Sequence, residues 1–359
     1  MANPAAPAAS DVIEVRPDER FDVTRVAEFL RGRLPGSERP LRVQQFGGGH
    51  ANLTYLLRFG DGPDAVEYVL RRPPLGPVAP GSHDMSREHR ALSVLWKAFP
   101  LAPRSYLFCD DVAVIGAPFF VMERRHGVVV RGAIPEIFGG GRDEVANRKL
   151  SQVVVDVLAE FHAADPAQCG LDTLGRPEGF LERQVTGWTG RWERSKVEAF
   201  ALADELQKWL LDNLPVSPLP TLLHNDWRLD NMAVAEDDPG RCVAVYDWDM
   251  CTRGDPFCDL GPVLAVWYDP GEVPGSLNPM PTLMPGFLRR DDAAKRYGEV
   301  SGRDVASLPY YLVFGTFKMA VVLQQIYYRF HKGQTQDQRF AGMGEGAKAL
   351  FRLAASRRP

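Results

Sequence analysis

The residues best suited to chemistry lie in one stretch of the chain, which reads L-L-H-N-D-W-R-L-D-N and ends at Asn231. It contains the carboxylate of Asp226, and a second carboxylate, Asp247, follows in the sequence Y-D-W-D. Carboxylate and amide oxygens suit Mg²⁺, and a carboxylate can also accept the proton of a hydroxyl group. These residue types together predict phosphoryl transfer, in which the protein orients an acceptor and neutralises phosphate charge.

The spacing of these residues matches the kinase pattern, in which an H-x-D loop precedes an Asn and a later metal-binding Asp. Asp226 is then the predicted catalytic base, and Asn231 and Asp247 are the predicted magnesium ligands. Arg228 lies two residues after the base, where kinase loops often keep a cation near the transferred phosphoryl group. His224 is expected to brace the loop. Because a lone H-x-D triplet can occur by chance, the prediction depends on the joint pattern.

The chain between the two predicted metal ligands is expected to form a hairpin. Residues 232–235 are apolar, residues 236–240 have the composition of a turn, and residues 242–246 are mostly β-branched or aromatic. This pattern places Asp247 at the end of a strand. Further along, Asp259 is expected to anchor the catalytic loop from below.

A glycine-rich hairpin near the N-terminus is expected to cover the nucleotide. Residues 41–46 and 53–59 predict two strands. The turn between them supplies four candidate nucleotide-binding residues, Gly47, Gly48, Gly49 and Asn52. Bare glycines allow backbone N–H groups to approach a phosphate closely, although many hairpins carry glycine only for its positive φ.

The next predicted strand, at residues 66–71, ends in a cation. In the kinase pattern this cation holds the α- and β-phosphates and pairs with a helix Glu. Arg71 takes that position, Val69 lies against the adenine, and Glu88 in a predicted helix at residues 85–98 is the expected partner. Glu88 also fits an ordinary acidic residue in a first helical turn. Arg71 departs from the usual Lys, since a guanidinium is bulkier and forks its donors.

Two further strands are predicted at residues 112–115 and 119–123, which makes five in the first sheet. The backbone of Met122, Glu123 and Arg124 would then bind the adenine edge of ATP, or the corresponding edge of GTP. The same apolar run before a charged break also fits a plain core strand.

Composition sets broad limits on the whole chain. The 359 residues, 45% of them hydrophobic, predict a disordered leader at residues 1–20, an N-lobe at 21–124 and a mainly helical C-lobe at 125–359. The net charge of −4 provides no basic field for nucleic acid. No stretch is apolar enough to span a membrane, and the five cysteines include no C-x-x-C pair. We therefore expect a cytoplasmic protein that acts on a soluble small molecule.

The motifs G-G-G-H-A-N-L-T-Y, H-N-D-W-R-L-D-N and Y-D-W-D with G-D-P-F-C-D-L resemble the aminoglycoside phosphotransferase superfamily, which includes choline kinase-like enzymes. The resemblance implies an α+β, bilobal protein-kinase-like fold with an antiparallel-sheet N-lobe. The stretch Y-V-L-R-R-P-P-L-G is more similar still to the kinase-like domain fused to certain acyl-CoA dehydrogenases, which tend to have Arg in the cation position. The implied cofactors are Mg²⁺ and a nucleotide, either ATP or GTP.

Two functions remain open at the level of sequence. The first is an ATP-dependent phosphotransferase that acts on a small-molecule hydroxyl. The alternative is a catalytically weak or inactive kinase-like protein that binds nucleotide or serves as a scaffold, which the Arg71 departure would fit. Retention of Asp226, Asn231 and Asp247 together favours the enzyme. A protein kinase is disfavoured because the chain lacks the D-F-G and A-P-E segments.

Overall fold

The computed structural model describes residues 12–47, 52–76, 83–272 and 280–359. The chain divides into two compact units, of which the first ends at Arg125 and the second begins at His126. The first contains an antiparallel sheet with helices, and the second is mainly helical. Within the described ranges, no helix is both long and apolar enough to cross a membrane.

The first unit is built on a sheet whose described strands are β1 (Val12–Ile13), β2 (Leu41–Phe46), β3 (Leu53–Phe59), β4 (Val66–Arg72), β5 (Ser105–Cys109) and β6 (Phe119–Glu123). They pair antiparallel in the order β1-β2-β3-β4-β6-β5. The described α-helices of this unit are α1 (Val23–Leu30), α2 (Met85–Leu95) and α3 (Val112–Ile115).

The two faces of this sheet have different roles. Because successive side chains of a strand point to opposite faces, β4 sends Tyr68 and Leu70 one way and Val69 and Arg71 the other. The first face packs with nearby helix and loop residues in an apolar core. The buried residues of this core are Val26, Leu30, Leu34, Leu53, Tyr55, Leu57, Phe59, Tyr68, Leu70, Cys109, Ile115, Phe119 and Val121. The opposite face holds Arg71 next to α2.

One predicted strand is wrong. Residues Val112–Ile115 form the short helix α3, because the Asp111 side chain accepts a hydrogen bond from the N–H of Ala113 and Gly116 ends the helix at φ +80°. The strand that pairs with β6 is instead Ser105–Cys109. Its register is irregular, which weakens the alternation that a sequence pattern would show.

The predicted disordered leader is wrong for residues 12–20, whereas residues 1–11 lie outside the described residues. Residues 12 and 13 pair with Phe46 and Gln45 as β1, and a 3₁₀ turn follows at Pro17–Glu19. Arg16 and Tyr55 reinforce this attachment, because the Arg16 N–H donates to Gln45 Oε1 at 3.1 Å and the Tyr55 hydroxyl donates to the Glu19 carbonyl at 2.8 Å. Among the described residues the sheet thus has six strands rather than five.

The second unit carries short strands between its helices. Its described helices are α4 (Glu144–Ala163), α5 (Phe180–Ser195), α6 (Ala201–Asp212), α7 (Phe257–Ala265), α8 (Arg290–Ser301), α9 (Leu308–His331) and α10 (Met343–Ser356). Its described strands are β7 (Val128–Val129), β8 (Thr221–Leu223), β9 (Met232–Val234), β10 (Cys242–Val245) and β11 (Thr252–Gly254). β9 pairs with both β7 and β10, whereas β8 pairs with β11.

Candidate active site

The predicted catalytic loop, residues 224–231, follows β8 and is braced by a histidine. His224 is buried, and its Nε2 donates to the carbonyl of Tyr246 at 2.8 Å. Its Nδ1 accepts a hydrogen bond from the backbone N–H of Asp226 at 3.3 Å. This pair of bonds fits a neutral ring with its proton on Nε2. His224 therefore ties the loop to the end of β10, as predicted.

The buried carboxylate of Asp259 also holds this loop in place. Asp259 in α7 accepts hydrogen bonds from the backbone N–H groups of His224, at 2.7 Å, and of Asn225, at 2.6 Å. Asn225 adopts a left-handed backbone with φ +66°, and its side chain donates to the carbonyl of Met250 at 2.9 Å. Residues other than glycine pay a conformational cost in this region. The anchoring bonds offset that cost and direct the next residue, Asp226, which is exposed.

Asn231 joins the predicted base to the predicted metal hairpin. Its amide nitrogen donates to the Asp226 carboxylate at 3.0 Å and to the Asp226 carbonyl at 2.9 Å. Its own carbonyl accepts the N–H of Tyr246 at 2.8 Å, one residue before Asp247. β9 and β10 form the predicted hairpin, and Asp247 leaves it at φ +67°. The structure thus brings the regions of Asp226, Asn231 and Asp247 together.

These oxygen donors fit a magnesium ion that arrives with its nucleotide. In the described part of the chain, no group of three His, Cys, Asp or Glu side chains could hold a metal alone. Mg²⁺ is commonly bound by one or two protein oxygens, with phosphates and waters completing its octahedron. Because the Asn231 nitrogen is engaged by Asp226, its Oδ1 and the Asp247 carboxylate are the atoms that suit this arrangement.

Arg228 is engaged within the loop. It forms a two-pronged pair with Asp230, at 2.7 Å from Nε and 3.0 Å from Nη2. Burial lowers the pKa of Arg228, but this pairing and the charge of Asp226 outweigh that effect, so the pKa lies above its ordinary value. A phosphoryl group bound by Arg228 would therefore compete with Asp230 for the N–H donors of the guanidinium.

In the first unit, the predicted ion pair is present. Arg71 Nε lies 3.1 Å from Glu88 Oε2, and the two side chains are only 9% and 1% exposed. Arg72 points to the other face, where its Nη1 donates to the carbonyl of Ile115 at 3.0 Å. The alternation of β4 therefore selects Arg71 as the cation next to α2.

Some groups of the segment predicted to bind adenine make other contacts. Val69 lies opposite Met122 in the β4–β6 register, and both are buried. The backbone N–H of Glu123 donates to the Arg104 carbonyl at 2.8 Å, so this group is not the one that would bind adenine. Arg124 places its guanidinium 4.8 Å from the centre of the Phe46 ring.

The glycine-rich turn is described only at its ends. Gly47 accepts a hydrogen bond at its carbonyl from Arg16 Nη2 at 3.2 Å. Asn52 is buried, with its Oδ1 2.8 Å from His83 Nδ1. Gly48 and Gly49 lie outside the described residues.

Sequence reasoning missed Lys318. This residue of α9 donates from Nζ to the carbonyl of Asn225 at 3.3 Å, directly before the predicted base. The available signal was a single lysine in the otherwise apolar run V-F-G-T-F-K-M-A-V-V.

His162 forms a buried link behind the catalytic loop. Its ring lies 2.7 Å from the Tyr297 hydroxyl and 3.4 Å from Asp259. Burial lowers the pKa of His162, and the hydrogen bond to Asp259 offsets only part of this effect. Burial alone would raise the pKa of Asp259, but its contacts with His162 and His224 reverse that and hold the pKa below its ordinary value.

We expect this link to make the protein sensitive to acid. A histidine whose pKa is lower in the folded state than its unfolded value of about 6.5 binds protons more readily when unfolded, so acid favours unfolding. The free energy of unfolding should fall as the pH drops below about 6.5, by at most about 1.4 kcal/mol per pH unit from this group.

Urea unfolding between pH 7.5 and 5 measures this free energy, and its dependence on pH should be flatter for His162→Phe than for wild type. The exposed-histidine control His331→Gln should follow wild type, and parallel curves for all three proteins would contradict the prediction.

Comparison with known protein sequences agrees with this geometry. The model of the phosphotransferase enzyme family matches residues 42–296. Acyl-CoA dehydrogenase family member 11 of Mus musculus is 32% identical over 343 residues, which are 92% of this chain and 42% of that protein. Its Gallus gallus counterpart is 32% identical over 330 residues, with 88% and 41% covered. The chain therefore spans about two fifths of the length of these relatives.

Solved structures confirm the fold. A Ralstonia eutropha protein with the provisional name aminoglycoside phosphotransferase is 27% identical, with 94% of this chain and 98% of the other covered and a TM-score of 0.79. Choline kinase from Cryptosporidium parvum is 10% identical, with 94% and 95% covered and a TM-score of 0.61, which shows the fold alone. The predicted protein-kinase-like fold and the resemblance inferred from the motifs are both confirmed.

Proposed function

Because the chain belongs to the phosphotransferase enzyme family, we propose that it transfers the γ-phosphoryl group of ATP to a hydroxyl of a small molecule, with Mg²⁺. The observation that carries this proposal is the contact of Asn231 with Asp226, together with the pairing that brings Asn231 next to the Asp247 end of the hairpin. These contacts hold the proposed base and the two proposed oxygen donors close together, which is the positioning that phosphoryl transfer requires.

The proposed reaction uses Asp226 as the base. The acceptor oxygen attacks the γ-phosphorus of ATP, its proton passes to the Asp226 carboxylate, and the bond to the β-phosphate bridging oxygen breaks to release ADP. Asn231 fixes the carboxylate through its 3.0 Å hydrogen bond, which leaves the second carboxylate oxygen of Asp226 for the acceptor. When bound, Mg²⁺ would neutralise phosphate charge. Asn231 Oδ1 and Asp247 would hold it.

The Arg71–Glu88 pair is compatible with an active enzyme. The guanidinium stands at 3.1 Å from Glu88, in the pairing that kinases make between their strand cation and helix Glu. Arginine supplies the same charge there with more donors. Its presence therefore does not require that catalysis has been lost.

The identity of the acceptor can be tested with a panel of candidate hydroxyl compounds. Neighbouring structures include a choline kinase and an aminoglycoside phosphotransferase solved with hygromycin B, whereas the sequence relatives are named for acyl-CoA dehydrogenases. Amino alcohols, aminoglycosides and hydroxyacyl thioesters of coenzyme A therefore belong in one panel. Transfer from radiolabelled γ-phosphate ATP to any member tests the proposal, and no transfer to any of them by protein that also fails to bind MgATP would overturn it.

Magnesium dependence provides a test that needs no acceptor. Asp247→Asn keeps a side chain that tolerates φ +67° but removes the charge that would hold the ion. Calorimetric titration with ATP should then need at least about tenfold more Mg²⁺ to reach the wild-type affinity. Asp238→Asn, in the turn of the same hairpin and paired with Lys149 at 3.0 Å, is the matched control. Equal magnesium responses in wild type and Asp247→Asn would exclude this metal assignment.

A further inference from the structure

Two basic side chains of the second unit converge on one tryptophan beside the catalytic loop. Lys318 of α9 places Nζ 5.4 Å from the centre of the buried Trp188 ring, and the guanidinium carbon of Arg191 in α5 lies 4.2 Å from it. Lys318 also touches the loop itself, since Nζ lies 3.3 Å from the carbonyl of Asn225. The cluster of Lys318, Arg191 and Trp188, which we call the basic cluster, therefore adjoins Asp226.

The basic cluster is not neutralised by a direct ion pair among the described residues. Within the described ranges, neither Lys318 nor Arg191 forms an ion pair with a carboxylate inside 4.0 Å, although the charges of Asp226 and Asp259 act on Lys318. Burial lowers the pKa of Lys318, the charges of Asp226 and Asp259 offset part of this lowering, and the charge of Arg191 adds to it. An anion bound beside both basic groups would interact favourably with their combined positive charge.

We propose that the basic cluster binds an anionic group of the phosphoryl acceptor, so that the acceptor carries a carboxylate or a phosphate besides its reactive hydroxyl. This rests on the proposed function. α5 and α9 contribute none of the residues assigned to the metal or the nucleotide, so the anion that they bind belongs to the acceptor. Trp188 supplies an apolar surface beside the two cations, against which the carbon skeleton of the acceptor packs.

The chemistry of the cluster also disfavours a polycationic acceptor. Lys318 and Arg191 would repel the ammonium groups of an aminoglycoside next to Asp226, and repulsion between like charges is an effective means of rejecting a wrong ligand. The acceptor selected by this site therefore differs in charge from kanamycin or choline.

The test measures transfer from MgATP to acceptors that differ in charge. Glycerol is neutral, choline and kanamycin are cationic, glycerate carries a carboxylate, and glycerol 3-phosphate and 3-hydroxybutyryl-coenzyme A carry phosphates. We expect transfer to the anionic acceptors alone, and the glycerate and phosphate arms distinguish the two sources of negative charge. Transfer to glycerol, choline or kanamycin with equal or higher kcat/KM would overturn the inference and leave the proposed function standing. No transfer to any of these acceptors would overturn the inference, whereas the proposed function falls only if the protein also fails to bind MgATP.

Variants of the cluster separate recognition of the acceptor from support of the loop. Lys318→Gln keeps a donor for the Asn225 carbonyl but loses the charge, and Arg191→Gln removes the charge of an exposed residue, where folding should not suffer. Each should raise KM for the best anionic acceptor at least about tenfold while KM for ATP stays within about twofold. Lys332→Gln, which removes an exposed lysine at the end of α9, is the control and should match wild type.

Whether a variant changes kcat or the KM for the acceptor decides between the possible roles of the cluster. A fall in kcat with KM for the acceptor unchanged would assign Lys318 to the transferred phosphoryl group and overturn the acceptor subsite. Wild-type kinetics in both Lys318→Gln and Arg191→Gln would show that the cluster is only structural, and would overturn it as well.

Discussion

Replacing Asp226 with Asn should lower turnover by roughly a hundredfold or more while leaving ATP affinity nearly unchanged. The amide keeps the shape of the carboxylate but cannot accept the acceptor proton. It also turns the 3.0 Å contact with the Asn231 nitrogen into one between two amides, in which the oxygen of the introduced amide still accepts. The loop should therefore stay in place, and the loss should fall on kcat. Steady-state kinetics with the acceptor identified in the panel, together with ATP titration, measure both quantities.

Asp237→Asn is the appropriate control for this experiment. It makes the same chemical change in the same unit, on a side chain that is 79% exposed and paired only at the surface with Arg241. Its turnover should equal that of wild type. If Asp226→Asn retained wild-type turnover with a good acceptor, Asp226 would not be the base.

Replacing Arg71 with Ala should reduce both the stability of the protein and its affinity for ATP. The change removes the guanidinium that lies 3.1 Å from the buried Glu88 carboxylate, and removal of one member of a buried ion pair typically costs about 3–5 kcal/mol. Arg71→Lys keeps the charge and loses the fork, so it should bind ATP measurably and retain activity. Thermal unfolding and calorimetric ATP binding test the two variants.

The neighbouring arginine provides the control for Arg71. Arg72 is equally buried but faces the other side of β4, where it bonds to the carbonyl of Ile115. Arg72→Ala should destabilise the protein without a direct effect on ATP affinity. Equal loss of ATP affinity at both positions would mean that Arg71 acts only through folding, and wild-type protein that does not bind MgATP would favour the scaffold alternative.

The contacts of the candidate site were predictable to different degrees because they join residues at different distances along the chain. Asp226, Asn231 and Asp247 lie within one loop and hairpin, whose spacing is a local property of the sequence. The Arg71–Glu88 pair could be named because strand alternation and a helix start restrict the choice. Lys318 could not, since it meets Asn225 across 93 residues and no local pattern records that contact.

The errors in the fold have an equally local cause. The β-branched residues of the run V-A-V-I favour a strand, whereas Asp111 before it and Gly116 after it are helix-capping signals that decide its structure. The alanine- and proline-rich start of the chain predicts the disordered leader. That composition ends before Val12, where pairing with β2 begins.

The left-handed backbone at Asp247 restricts which substitutions this position can accept over time. The proposed metal ligand at this position is a carboxylate, and at most other positions Glu would be the nearest replacement that keeps the charge. At φ +67°, however, the short Asp and Asn side chains are the ones that non-glycine residues tolerate best. Glu would preserve the charge and strain the chain, whereas Gly would relieve the chain and remove the ligand. No single substitution at Asp247 therefore keeps both the charge and an unstrained backbone, and a change of ligand that preserves the charge has to involve another position of the candidate site.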